Sequence, residues 1–160
     1  MLRIAISFIE RWKVIKLFAV DTNILLYAAI RQFPEHPKAF QLVEDWRKDE
    51  EAWFITWNVV YEFLRVSTHA AVLQKPLSLK AANEFIDALL DAGNLTILGE
   101  TREHHRVLKE LSLRYPRVSA NLIHDFHTAV LLYEYGIRTL YSADTDFLQF
   151  DFLEVQDPVH

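Results

Sequence analysis

The sequence predicts an α/β fold in which helices cover both faces of a parallel sheet. Short apolar segments alternate with amphipathic helical patterns along the chain, which is the order expected for parallel strands joined by helices. The strand segments are apolar throughout, as expected for strands buried on both faces of a sheet. With 160 residues, of which 51% are hydrophobic, the chain is long enough for one domain with one core.

The individual elements follow from the same pattern. Five strands are predicted, at residues 17–21, 52–57, 95–98, 138–143 and 153–156. Six helices are predicted between and around them, at residues 23–31, 36–50, 58–74, 79–92, 101–114 and 120–136. The residues suited to cap helix starts or to end helices are Asn58, Ser78, Thr101, Gly93 and Gly136.

The domain prediction places a single domain at residues 18–160, preceded by an N-terminal extension at residues 1–17. In that extension Glu10, Arg11 and Lys13 interrupt any signal-peptide core, and no run in the chain approaches the roughly 18 apolar residues of a membrane span. The role of the extension is unknown. A docking segment and an upstream start codon both remain open.

Composition excludes several classes of function. The chain has no cysteine, which rules out disulfides, thiolate zinc sites and a thiol nucleophile. Its three glycines are too scattered for a P-loop or a GxGxxG dinucleotide turn. The net charge of −5 argues against a nucleic-acid partner unless metal ions neutralise part of the acid.

Acidic residues stand at positions where burial is expected. Asp21 lies between a predicted buried strand and a predicted buried helix, where an unpaired carboxylate costs several kcal/mol, on the order of a small domain's stability. A second strand ends at Ser142 and is followed by Asp144 and Asp146. The carboxyl ends of parallel strands form the crevice in which α/β proteins bind ligands, so these acids are expected there.

Two further acids lie on helices. Glu62 shares a predicted apolar stripe with Val59 and Val66, and Asp125 shares one with Leu122 and Ala129. Each acid alone has an ordinary explanation as a helix cap or an ion-pair partner. If they converge, each pair of charges ~4 Å apart costs about 4 kcal/mol at an effective dielectric of 20. A divalent cation removes that cost, and oxygen ligands favour Mg²⁺ or Mn²⁺.

Four segments in order carry a family resemblance. They are VDTNILLYA, WNVVYEFLRVST, ANLIHDFHTAVLLYEYGI and LYSADTDFLQF followed by LEVQDP. From about Phe18 to Pro158 the chain resembles a PIN domain, and within that group the VapC-type ribonuclease toxins. In this family a glycine usually precedes the helix that carries the third acid, and a small residue usually follows that acid. This chain has Ala120 and Phe126 at these two positions, so the start of that helix and one wall of the cleft are expected to differ.

The resemblance implies a three-layer α/β/α sandwich with a mainly parallel central sheet. It also implies a cytoplasmic endoribonuclease that uses Mg²⁺ or Mn²⁺ and is paired with a cognate antitoxin protein, in a homodimer with no membrane contact. Asp21, Glu62, Asp125 and Asp144 would be the catalytic acids and metal ligands. Ser142 would support the last acid, and Asp146 would be an accessory acid. Apolar surface beside the cleft, including Trp46 or Phe33, would anchor the antitoxin, because exposed aromatic residues commonly anchor interfaces. A position of these aromatics in the core is the equally open alternative.

Three alternatives remain. The chain could be a PIN fold kept as an RNA- or protein-binding regulatory module without turnover. The pair His124–Asp125 is also found in metal-dependent HD-type phosphohydrolases, although these are all-helical and need further histidines. Phosphomonoester hydrolysis through Asp21 usually requires a second aspartate two residues on, where this chain has Asn23.

Overall fold

The computed structural model describes residues 16–160. Residues 1–15, and with them most of the predicted extension, lie outside the described residues. Residues 16 and 17 lead into the first strand without regular structure. None of the helices formed by residues 16–160 has the length and apolar character that a membrane span requires.

The described chain forms a five-stranded sheet whose neighbouring strands all run parallel. Its spatial order is β3-β2-β1-β4-β5. The strands are β1 Phe18–Val20, β2 Trp53–Thr56, β3 Leu95–Leu98, β4 Thr139–Tyr141 and β5 Glu154–Gln156. The prediction of a parallel central sheet is therefore confirmed, and each strand falls within its predicted segment.

Six α-helices accompany the sheet within residues 16–160. They are α1 Thr22–Ala29, α2 His36–Lys48, α3 Trp57–Ser67, α4 Leu79–Leu90, α5 His104–Arg114 and α6 Leu122–Glu134, with a short 3₁₀ helix at Thr145–Gln149. Helices α1 to α4 contribute to one buried apolar cluster, and α5 and α6 contribute to another. The two clusters lie on opposite faces of the sheet, so the three-layer α/β/α prediction is confirmed.

The central strand β1 shows how the sheet separates the two cores. Phe18 and Val20 belong to the core under α1 to α4, whereas Ala19 belongs to the core under α5 and α6. All three are buried. Side chains alternate across a strand, so a short apolar run serves both faces at once.

The strand order reverses between β1 and β4, because β2 and β3 extend the sheet on one side and β4 and β5 on the other. In open α/β sheets ligands bind in the crevice outside the carboxyl ends of such a strand pair. Asp21 follows β1 directly and Ser142 follows β4. The topology therefore brings the two predicted strand-end positions to one crevice.

Helix α3 differs from its predicted extent of 58–74. Thr56 caps it instead of Asn58, and the Thr56 hydroxyl accepts a backbone N–H of the first turn at 3.3 Å. The helix ends at Ser67, where the hydroxyl of Thr68 donates to the carbonyl of Leu64 at 2.7 Å. A side chain that binds the backbone in this way competes with continued helix formation.

Other helix ends show which capping predictions hold. Ser78 caps α4 as predicted, and Gly136 follows α6 with a φ of +68°. Thr101 does not cap α5, because its hydroxyl accepts the N–H of Glu103 at 3.1 Å in the turn before the helix. Ala120, before α6, has a φ of +50°, in the left-handed region that favours glycine.

Candidate active site

Asp21 is a buried carboxylate with three hydrogen-bond donors. It caps α1, and its Oδ1 accepts the backbone N–H of Thr22 at 2.7 Å. Its Oδ2 accepts the Asn23 amide at 2.8 Å and the Ser142 hydroxyl at 2.6 Å. The side chain is fixed in one orientation, and these bonds offset part of the cost of its burial.

Asn23 and Ser142 tie the end of β1 to the end of β4. The Asn23 amide also donates to the Ser142 hydroxyl at 3.1 Å and accepts the N–H of Ala143 at 3.1 Å. The Ser142 hydroxyl was expected to support the last acid. It donates to Asp21 instead, and meets Asp144 only by accepting its backbone N–H at 2.9 Å. The hydroxyl has one proton to donate, and Asp21 receives it.

Three further carboxylates converge in front of Asp21. Asp144 caps the 3₁₀ helix, and its side chain accepts the backbone N–H of Asp146 at 2.8 Å. Asp125 lies in the first turn of α6. One oxygen atom from each of Asp125, Asp144 and Asp146 lies within 4.8 Å of the other two. Asp146 was expected only as an accessory acid, but it is a full member of this cluster, together with Asp125 and Asp144.

Glu62 lies at the edge of the site. It was predicted on the apolar stripe of its helix, and that orientation is wrong, since its side chain is 45% exposed. The buried residues of α3 include Val60 and Phe63, so the buried stripe is rotated and Glu62 lies beside it. Glu62 faces the cleft and pairs with Arg65 at 3.4 Å.

Burial and mutual repulsion hold two of these acids partly protonated near neutral pH. Burial raises the pKa of Asp21 to about 6, with Glu62 and Asp144 adding to the shift and the Ser142 and Thr22 hydrogen bonds opposing it. Burial also raises the pKa of Asp125 to about 7, with further increases from the charges of Asp144, Asp21, Glu62 and Asp146. Repulsion of this kind is relieved by a cation.

The donor set fits a hard divalent cation. Every group in the cluster offers carboxylate oxygen, the ligand type that Mg²⁺ and Mn²⁺ prefer. Unlike Asp21, the Asp125 carboxylate receives no hydrogen bond from residues 16–160, so its oxygens remain open for an ion. The residues present therefore suit a bound divalent metal.

The acids line a cleft of about 660 Å³. The lining also includes polar residues that sequence reasoning did not select, namely Asn58, Tyr61, Arg65, Asn121 and Thr128, together with His124. Positions 58, 61, 62 and 65 are spaced as one face of a helix, and this spacing is the signal that could have found three of them. Asn58 also spans the cleft, donating to the carbonyl of His124 at 3.2 Å.

The aromatic residues beside the cleft are not the expected ones. Trp46 packs against Phe18 and Tyr141, with ring centroids 5.2 Å apart in both pairs, and it does not line the acidic cleft. Phe33 packs on Tyr27. The exposed aromatic residue that lines the cleft is Tyr61, which is 69% exposed. Trp57, 50% exposed, lies next to Tyr61 on the same helix.

Comparison with known proteins gives consistent results. The model of the PIN domain family matches residues 18–153. Ribonuclease VapC48 of Mycobacterium tuberculosis is 32% identical over 139 residues, covering 86% of this chain and 94% of that protein. Ribonuclease VapC33 of the same species is 31% identical, covering 87% and 96%.

Solved structures show the same fold. VapBC2 from Rickettsia felis, bound to a DNA fragment from its promoter, aligns with a TM-score of 0.62 at 17% identity, over 88% of this chain and 97% of that one. Mycobacterium tuberculosis VapC20, a toxin that cleaves the sarcin-ricin loop, aligns with a TM-score of 0.62 at 18% identity, over 88% and 99%.

Proposed function

This chain belongs to the PIN domain family, with VapC ribonucleases among its relatives, and on that premise we propose that it is a metal-dependent endoribonuclease. The observation that carries the proposal is the convergence of Asp125, Asp144 and Asp146 in front of Asp21, at the point where strand order reverses. The nuclease domain is assigned to residues 18–160.

The acids have distinct parts in this proposal. Asp125, Asp144 and Asp146 supply oxygen ligands, Glu62 closes one edge of the site, and Asp21 contributes a fixed negative charge oriented by Ser142. Bound Mg²⁺ or Mn²⁺ supplies Lewis acidity, which stabilises charge on the phosphate and lowers the pKa of an attacking water. The raised pKa values of Asp21 and Asp125 support this assignment, because the burial and carboxylate repulsion that raise them would be offset by a bound cation.

RNA recognition is assigned to the rim of the cleft. Arg65 is the basic side chain that lines it, and its guanidinium can donate to a phosphate oxygen. Trp57 and Tyr61 are exposed on the same helix, with ring centroids 6.3 Å apart. Exposed aromatics of this kind stack on unpaired bases with little sequence preference. The proposed substrate is therefore single-stranded RNA or an RNA loop.

A free ribonuclease damages its own cell, so we also propose a cognate antitoxin as inhibitor, acting on a cytoplasmic homodimer. An acidic cleft is suited to bind a guanidinium, which pairs with carboxylates and keeps its charge when buried. A partner segment that places Arg or Lys against Asp21, Glu62, Asp125 or Asp144 would compete with both metal and RNA. Replacing that basic residue with Ala is expected to restore cleavage in the purified complex.

The enzyme proposal and the binding-module alternative differ in one assay. Purified protein is incubated with total RNA in Mg²⁺, in Mn²⁺ and in EDTA, and product ends are mapped. The expected result is cleavage with either metal, none in EDTA, and a 5′-phosphate on the downstream fragment, because water attacks phosphorus. RNA that is bound but uncut with both metals would favour the module. Products ending in 2′,3′-cyclic phosphate would contradict the mechanism.

A further inference from the structure

A second cluster of metal-ligating side chains lies outside the acidic cleft. Glu100 follows β3, His104 begins α5, and His127 lies on α6. One ligand atom from each of the three lies within 4.8 Å of the other two. From this geometry we infer that Glu100, His104 and His127 form a site for a transition-metal ion of the zinc class, separate from the magnesium or manganese site.

The spacing of the ligand atoms fits such an ion. The Nε2 of His127 lies 3.1 Å from Oε1 of Glu100. Two ligands of a tetrahedral zinc, each about 2.1 Å from the metal, lie about 3.4 Å apart. A small movement of two partly exposed side chains therefore accommodates the ion. The rings of His104 and His127 meet edge to face, with centroids 5.4 Å apart.

The surroundings of His104 support a metal more strongly than an isolated ion pair. Its Nδ1 lies 2.7 Å from Oε2 of Glu134, whose side chain is only 1% exposed. Thr101 donates to the other Glu134 oxygen at 2.6 Å. A carboxylate that holds one ring nitrogen fixes the histidine tautomer and leaves the other nitrogen, here Nε2, available to bind a metal. The buried Glu134 thus orients His104 as a ligand.

The ligand chemistry selects the metal class. Imidazole nitrogen suits zinc, copper, nickel and iron, whereas carboxylate and water suit magnesium. Two histidines and one glutamate leave a fourth tetrahedral position, which is open to water because the Glu100 side chain is 56% exposed. The ion would fasten α5 and α6 to the end of β3, and α6 is also the helix that carries Asp125.

The test is calorimetric titration of Zn²⁺ into the metal-free chain in excess Mg²⁺, which competes for the cleft, repeated in Asp125→Asn, which removes one of the cleft ligands. Wild type is expected to bind one zinc outside the cleft. Glu134→Gln removes the carboxylate that orients His104, and loss of such a residue behind a metal ligand typically weakens metal binding by about 10- to 100-fold. His127→Gln removes a ligand and should weaken zinc binding by more than about 100-fold. His105→Gln, an exposed neighbour outside the cluster, is the matched control and should bind like wild type.

Glu100→Gln keeps the assay decisive if a histidine variant unfolds, since the Glu100 side chain is mostly exposed and is replaced by an amide of the same shape. Circular dichroism without metal checks the fold of each variant. Weakened zinc binding in folded Glu100→Gln and His127→Gln supports the site. Zinc binding unchanged from wild type in either folded variant, or no zinc bound by wild type beyond the cleft, overturns it.

Discussion

Replacing Asp125 with Asn is expected to stabilise the metal-free protein at alkaline pH. The folded protein raises the pKa of this carboxyl from 3.8 to about 7, through burial and the neighbouring carboxylates. Three units correspond to an upper limit of about 4 kcal/mol, and solvent screening of this half-exposed group reduces the expected gain to about 1–3 kcal/mol. For a chain of this size the melting temperature should rise by about 3–10 °C.

The stability difference between Asp125→Asn and wild type is expected to depend on pH. Between about pH 4 and pH 7 folded Asp125 retains its proton while the unfolded chain has lost it, so wild type loses stability as pH rises. The advantage of Asp125→Asn should therefore be full at pH 8 and nearly absent at pH 4. Thermal unfolding of the EDTA-treated proteins measures it, with Asp87→Asn, at an exposed position of α4, as the control. An equal difference at both pH values, or a less stable variant at pH 8, would refute the reasoning.

The other predictions concern α6, the 3₁₀ turn and the cleft rim. Ala120→Gly should raise the free energy of unfolding by up to about 1 kcal/mol in urea titrations, because Ala120 has a φ of +50°; a loss of stability would contradict this. Asp144→Ala should reduce cleavage more than Asp146→Ala, since Asp144 also caps the turn that presents both acids; the reverse kinetic order would exchange their roles. Tyr61→Ala should weaken binding to single-stranded RNA by roughly 5- to 100-fold, and Tyr61→Phe should not, if the exposed ring stacks on a base.

The strand-end acids could be predicted from sequence because their positions depend on topology alone. A short apolar run marks a buried strand, and the next residue lies at the carboxyl edge of the sheet. Asp21 and Asp144 were located in this way. For Asp125 the prediction holds only in part. Its helix was predicted correctly, but Asp125 was expected at a core position and is instead half-buried at the cleft.

The remaining features depend on packing that the sequence pattern does not determine. Val59 and Val66 suggested one buried stripe on α3, but burial of Val60 and Phe63 rotates the helix and leaves Glu62 exposed. For Trp46 the sequence left a core position and a place beside the cleft equally open, and the residue packs against β1 and β4 in the apolar core. Such outcomes are decided by contacts between elements distant in sequence.

Local side-chain bonds explain the other differences. The amide of Asn23 links Asp21 to Ser142, which lie 121 positions apart in the sequence. The residues next to either one in the sequence therefore give no indication of this contact. Asp146 lies in the acid cluster because its backbone N–H donates a hydrogen bond to the side chain of Asp144, which tightens the turn between them. Both arrangements use ordinary capping chemistry, and their consequences become visible only in three dimensions.

The central claim is that carboxylates gathered at the cleft cleave RNA with a bound divalent metal. It is tested most directly by measuring cleavage of total RNA by wild type and Asp125→Asn in saturating Mg²⁺, with both proteins confirmed as folded by circular dichroism. We predict metal-dependent cleavage by wild type and none above background by the variant, since Asp125 offers its oxygens to the ion. Cleavage by Asp125→Asn at a rate near that of wild type would contradict a role of these carboxylates in metal-dependent cleavage.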